Sequence, residues 1–202
     1  MCVNKMLKKA RKNFIIFKDL VDDKITNYIE NFESYFNSVF PKTSLFVLNH
    51  NDIHRLNILV KKNDDLILLD HEYASLNLIG NDIVNYMIES NFDYDIYNFR
   101  KDMDFSKYYS IYTEFLDNFQ ETHNETLKDE KMKKLFNKTY KYKYMLRIIC
   151  IISLFWFVYC VIYLNVQHLK SPDHFDFLQH ALDRLYIFEK AYDEIIKTKV
   201  NN

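Results

Sequence analysis

Apolar side chains recur at helical spacing over residues 15–40, at Phe17, Leu20, Val21, Ile25, Tyr28, Phe32, Phe36 and Val39, until Pro41 ends the run. The period then changes. Leu45–Leu48, Ile58–Val60 and Leu66–Leu69 are short apolar runs, the last two separated by a Lys-Lys-Asn-Asp-Asp turn, and they predict a small β element. Beyond Gly80 the helical period returns, predicting helices over 81–90, 106–119, 126–138, 141–166 and 173–197. Ser171-Pro172 is a start signal for the last of these, whose inner face should carry Phe175, Leu178, Leu182, Leu185, Phe188 and Tyr192. No repeat and no Gly-, Pro- or Ser-rich linker interrupts the chain. The expectation is one α+β, mostly α lobe over residues 1–202, with leading helices 1–44, a hairpin region 45–75 and a helical part 76–202.

Residues 148–164, IICIISLFWFVYCVIYL, are almost wholly apolar and fall just short of a membrane-spanning length. Their aromatic content and the amphipathic helix that follows favour a buried core helix over an anchor. An apolar share of 49% with 17% aromatic residues excludes a disordered tail. The single glycine, Gly80, decides more. A phosphate-cradling Gly-rich loop needs several glycines, because backbone must approach phosphate without a Cβ, so no such loop lies within these residues.

A formal net charge of −1 with both signs interspersed leaves no electrostatic footprint for nucleic acid, and the basic run Lys8, Lys9, Arg11, Lys12 reads as a solvated helix face. Cys150 and Cys160 sit ten residues apart in one expected helix, about 15 Å of rise, beyond disulfide reach. Reduced core cysteines and a cytoplasmic setting follow, with no signal peptide at Met1 and with the sequons at Asn124 and Asn137 as chance products.

The chemistry concentrates in His50-Asn51-Asp52-Ile53-His54-Arg55-Leu56-Asn57, followed after a hairpin-length gap by Leu69-Asp70-His71-Glu72-Tyr73. Phosphoryl transfer needs a carboxylate to orient a hydroxyl and accept its proton, and hard oxygen ligands for Mg²⁺. An Asp on a loop, an Asn five residues on, and an Asp ending the next hairpin strand supply those groups. Each alone reads equally well as a solvated loop residue; the ordered set does not.

The two strings resemble the H-N-D-x-x-x-x-N and I-D-F-E-Y signatures of choline and ethanolamine kinases, relatives of protein kinases and aminoglycoside phosphotransferases. Asn77-Leu78-Ile79-Gly80-Asn81-Asp82-Ile83-Val84-Asn85 resembles that family's N-x-x-G-x-D-I-x-N segment, and Phe175-Asp176-Phe177-Leu178 with Ala181 and Arg184 is similar to a stretch common in ethanolamine kinases. The resemblance runs from about residue 45 to the C-terminus and implies the C-terminal helical lobe of a protein-kinase-like fold, with a small β-hairpin carrying the catalytic loop. It implies Asp52 as catalytic base, Asn57 and Asp70 as metal ligands, and Glu72 as support for a second metal or for Asp70. It also implies that Asp82 braces the catalytic loop, with His50 beside it in a structural role.

For the substrate, Glu89, Asp93 and Tyr94 fall where relatives line an amino-alcohol pocket. Aromatic faces hold cations, and Trp156, Tyr159 and Tyr163 form one helical stripe, which by spacing alone reads as core. The resemblance places Trp156 and Tyr159 on a W-x-x-W pair that walls the choline site, with Tyr159 replacing the second Trp. His174 and Phe177 stand where relatives carry tyrosines, which leans towards ethanolamine.

The resemblance thus implies ATP-dependent phosphorylation of ethanolamine or choline, with ATP and Mg²⁺, opening phosphatidylethanolamine or phosphatidylcholine synthesis. The family's N-terminal ATP lobe has no counterpart here, and residues 1–40 read as too short and too helical to form it. Weak or no activity is therefore expected of the chain alone, with a homodimer or a partner supplying that lobe. The alternatives are a regulatory fragment that pairs with a full-length kinase, or a related small-alcohol or aminoglycoside phosphotransferase.

Overall fold

Helix α1 (Val3–Phe17) forms because Met6, Leu7, Ala10 and Phe14 share one face and are all buried, while Lys5, Lys8, Lys9 and Lys12 remain exposed. The computed structural model describes residues 3–17, 23–42, 44–93, 98–99, 103–123, 137–164 and 176–200. Contacts group the chain into two compact units, one of residues 1–40 with 150–202, the other of residues 41–149.

In the first unit the expected helix over 15–40 is interrupted at Asn31. α1 reaches back to Val3, and α2 (Asp23–Glu30) and α3 (Phe32–Val39) follow; Leu20 and Val21 lie outside the described residues. The break at Asn31 has a local cause. Its side-chain amide donates to the carbonyl and the side-chain oxygen of Asn27, both at 3.0 Å, competing with regular helix. Pro41 ends α3 by holding Phe40 extended, at ψ 127°. Arg11 closes the end of α2, pairing with Glu33 at 2.7 Å and donating to the carbonyls of Ile29 and Glu30.

Helices α6 (Lys138–Tyr163) and α7 (Phe177–Val200) contribute the rest, with Phe157 and Phe188 buried edge-on to Tyr28. The expected helix over 126–138 falls almost entirely outside the described residues, as do Ser171, Pro172 and Phe175. α6 is long and apolar enough to cross a membrane, and 72% of its apolar window is buried within protein. Asn13 directs its amide at the carbonyls of Val161 (2.8 Å) and Leu164 (2.9 Å), serving the end of α6.

The inner face of α7 is rotated from the expected one. Leu185 and Phe188 are buried, but Leu178, Leu182 and Tyr192 are only half-buried, and His180, Asp183 and Arg184 go inside. Apolar spacing hides this, because the three polar groups are bonded in place. Arg184 donates from Nε (3.1 Å) and Nη2 (3.0 Å) to His180 Nε2, and Gln179 donates to Asp183 (2.9 Å). Burial, reinforced by the Arg184 charge, pushes the His180 imidazole down to about 2.

The second unit holds three two-stranded antiparallel sheets among its described residues. β1 (Phe46–Asn49) pairs with β4 (Ser75–Leu78), placing Asn49 opposite Ser75. β2 (Ile58–Val60) pairs with β3 (Leu66–Leu68) in the expected hairpin, and β5 (Phe92–Asp93) pairs with β6 (Asn98–Phe99). β4, β5 and β6 escape the sequence pattern because each mixes polar and apolar residues over two to four positions, whereas β1, β2 and β3 lie in apolar runs. Helices α4 (Asn81–Glu89), α5 (Phe105–Thr122) and the start of α6 supply the core, with Val84, Ile88, Tyr112, Leu116, Tyr144 and Ile148 buried.

Gly80 starts α4 in the left-handed region, at φ 80°. A Cβ there would stand 2.6 Å from the ring of buried Tyr112, so the residue must be glycine for two independent reasons. Replacing Gly80 by Ala should cost about 2–4 kcal/mol, from the strained φ and from overpacking, read from urea denaturation. Acid should also destabilise the protein through His180. Its unfolded-state pKa of about 6.5 lies above the folded value, so its contribution is complete above about pH 7 and is lost as pH falls. His180→Gln keeps an acceptor for Arg184 without titrating. It should lose about 2 kcal/mol less stability than the parent between about pH 7 and 5, read from denaturation curves at each pH.

Candidate active site

One face of α4 addresses the loop that follows β1. Asp82, Asn85 and Glu89 lie at i, i+3 and i+7, a single helical stripe. The Asp82 carboxylate accepts the backbone N–H of His50 at Oδ2 and of Asn51 at Oδ1, both at 2.8 Å. Asn85 donates to the carbonyl of Ile53 at 3.1 Å. Glu89 is buried, and its charge reaches His54 of the same loop.

Asn51 has φ 68°, a conformation that Asn tolerates better than most residues. Its side chain holds it there. Oδ1 accepts from Asn77 (2.8 Å) and Asn81 (3.2 Å), and Nδ2 donates to the Tyr73 carbonyl (2.9 Å) and to Ser75 Oγ (2.8 Å). The loop is thereby tied to β4 and to the first residue of α4.

The backbone of Leu69 is clamped from two sides. Its N–H donates to the Asn57 carbonyl at 2.9 Å, and its carbonyl accepts from His50 Nε2 at 2.7 Å, which requires a proton on that nitrogen. The residue that follows is Asp70, also left-handed at φ 60° and exposed. The hairpin thus delivers Asp70 beside the turn Arg55–Asn57. Asn57 is buried and directs Nδ2 at the carbonyl (3.0 Å) and at Oδ2 (3.2 Å) of Asp52.

His54 approaches the same carboxylate, with Nε2 3.7 Å from Asp52 Oδ2. Its pKa is raised above the ordinary histidine value, chiefly by contact with Asp52, against a lowering by burial and with help from the charges of Asp52, Glu89 and Asp70. Asp52, Asn57, Asp70, His50, Asp82 and Glu89 therefore converge on one loop. Glu72 stands exposed in the turn His71–Tyr73, and Asp93 is half-buried in β5; Tyr94 lies outside the described residues.

Among the described residues no group of three or more His, Cys, Asp or Glu side chains is disposed to hold a metal ion.

Trp156 and Tyr159 lie in the other unit, on α6. They form one aromatic stripe with Tyr163 and Phe177, at centroid distances of 5.2, 4.6 and 5.9 Å along the series. The stripe already carries protein cations. The Arg184 guanidinium lies 5.7 Å from the Trp156 centroid, and Lys9 Nζ lies 5.4 Å from that of Tyr163.

The family model for choline/ethanolamine kinase matches residues 3–189. This chain belongs to the choline/ethanolamine kinase family. Choline kinase from Cryptosporidium parvum Iowa II shares the fold, with a TM-score of 0.66 at 17% identity over 98% of this chain and 57% of that one. The chain thus spans little over half of that relative's length. A Dictyostelium discoideum protein described only as uncharacterized is 31% identical over 94 residues, which are 46% of this chain and 8% of that protein. The choline/ethanolamine kinase match covers both the loop and α4, so the site described above lies inside the family region.

Three contributors were not singled out from the sequence. Asn85 was legible, because it lies three residues from Asp82 on the same helix face. Asn51 carries no sequence signal because its role depends on a positive φ, and His54 carries none because its partner Asp52 meets it only once the turn is formed. Asp82→Ala should leave two loop amides without their acceptor and cost about 2–3 kcal/mol. Asp82→Asn, which keeps one acceptor oxygen, should cost less, both read from urea denaturation.

Proposed function

We propose that this chain supplies the catalytic loop for ATP-dependent phosphorylation of an amino alcohol, ethanolamine or choline. The observation that carries the reading is the state of Asp52. Its carboxylate is mostly buried, one oxygen is held by Asn57, and the loop is held by Asp82.

Asp52 accepts the proton of the substrate hydroxyl as the alcohol oxygen attacks the γ-phosphorus of ATP. The bond from that phosphorus to the β-phosphate oxygen breaks, and ADP leaves. Asp70 and Asn57 are the residues that would hold Mg²⁺, which when bound neutralises charge on the phosphates. The amine end of the substrate is cationic, a charge that carboxylates such as Glu89 and Asp93 neutralise and that, separately in the other unit, aromatic faces such as Trp156 and Tyr159 could attract. Replacement of expected tyrosines by His174 and Phe177 removes two hydroxyl partners and favours the smaller ethanolamine. Cys150 and Cys160 are buried thiols outside any disulfide, which suits a cytoplasmic protein.

Turnover by these 202 residues alone should be slow. Gly80 is the only glycine and is committed to starting α4, so phosphate positioning by a Gly-rich loop would have to come from another polypeptide segment. Such positioning is worth up to roughly 7–11 kcal/mol of barrier. The test is transfer of labelled γ-phosphate to ethanolamine, choline and an aminoglycoside by the purified chain, in long incubations. Slow transfer to an amino alcohol that drops about 10²–10⁴-fold in Asp52→Asn is the expected result. Transfer that ignores Asp52, or that prefers the aminoglycoside, overturns the reading.

A further inference from the structure

We propose that His54 is a positioning residue for Asp52, engaging one carboxylate oxygen so that the other is presented to the substrate hydroxyl. The proposal rests on the phosphotransfer reading above and assigns roles to individual atoms within it.

The first support is the tautomer. His54 Nδ1 accepts the backbone N–H of Leu56 at 3.3 Å, at the start of the turn Arg55–Asn57. A ring nitrogen that accepts carries no proton, so in the neutral imidazole the proton is on Nε2. Nε2–H is the edge 3.7 Å from Asp52 Oδ2. At that distance the contact is an electrostatic approach of donor to carboxylate, longer than a full hydrogen bond.

The second support is convergence. Asn57 Nδ2 donates to the same Oδ2 at 3.2 Å, so the two donors from one short turn meet on one oxygen. Among the described residues Asp52 Oδ1 accepts no hydrogen bond, and the side chain keeps 13% of its surface accessible. A carboxylate oxygen loaded with donors holds its electron density more tightly and is the poorer proton acceptor. Oδ1 is left as the base.

The third support is economy of construction. Leu56 N–H fixes the imidazole, and Asn57 N–H closes the turn on the His54 carbonyl at 2.9 Å. The ring is therefore locked to the same turn that carries Asn57, and Asp52 is gripped by a rigid three-residue element rather than by a free side chain.

Two readouts test this in the 202-residue protein. With ¹⁵N-labelled histidine at alkaline pH, His54 should be wholly protonated on Nε2 and bare on Nδ1, and Asp52→Asn should move the Nε2 resonance while exposed Lys62→Gln leaves it in place. In the transfer assay, His54→Ala should lower kcat about tenfold with the amino-alcohol KM within about twofold, and His54→Gln, whose amide can replace Nε2–H, should recover most of the loss. A proton on Nδ1, an Nε2 signal indifferent to Asp52→Asn, or a rise in KM without loss of kcat overturns the positioning role. Absence of any Asp52-dependent transfer overturns the phosphotransfer reading and the catalytic consequence with it, and the resonance shift then shows the contact by itself.

Discussion

A carboxylate on the first turn of α4 accepts two successive amides from a loop thirty residues earlier in the chain, and the candidate site depends on that contact. Asp82 sits where the N-terminus of its own helix favours an anion. Each of its oxygens receives one N–H, so the loop is fixed in orientation as well as in distance. α4 is in turn fixed by Val84, Met87 and Ile88, all buried. Gly80 lets the chain enter that helix beneath the Tyr112 ring, where a side chain would collide. Core packing is transmitted in this way, through one glycine and one carboxylate, to the position of Asp52.

The loop is held in conformations it would not choose. Asn51 and Asp70 both have positive φ, each costing of order 1–3 kcal/mol unless the surroundings compensate. The compensation for Asn51 is visible, since its side chain makes bonds to Asn77, Asn81, Tyr73 and Ser75. Asp70 follows the clamped backbone of Leu69. These are positions where local preference loses to tertiary bonding, and such positions gather at sites that must hold charged groups in fixed directions.

The first unit shows a different use of charge. Arg184 is buried, yet it stacks on Trp156 and donates to a histidine that burial keeps neutral. Lys9, exposed at its own helix face, reaches the ring of Tyr163 on the same stripe. An aromatic stripe that hosts protein cations is chemically suited to hosting another, because the attraction arises from the ring quadrupole and not from the identity of the cation.

Much was open to reading in the chain itself. The β2–β3 hairpin, helices α4 to α7 and the ordered set of Asp52, Asn57 and Asp70 follow from spacing and residue type, whereas the need for glycine at position 80 appears only with the Tyr112 ring in place. Periodicity reports burial only for apolar residues, so it misplaced the inner face of α7, where His180, Asp183 and Arg184 go inside with their partners. It joined α2 and α3 into one helix, because Asn27 and Asn31 break the helix through side-chain bonds that apolar spacing does not record. What the amino-acid order determined is which groups are present and which local conformations they permit. What only the tertiary structure decided is which oxygen faces which donor: Asp82 on two loop amides, Asn57 and His54 on a single oxygen of Asp52. Those choices are made between residues distant in the chain or turned towards each other by a positive φ, and no one-dimensional pattern carries that direction.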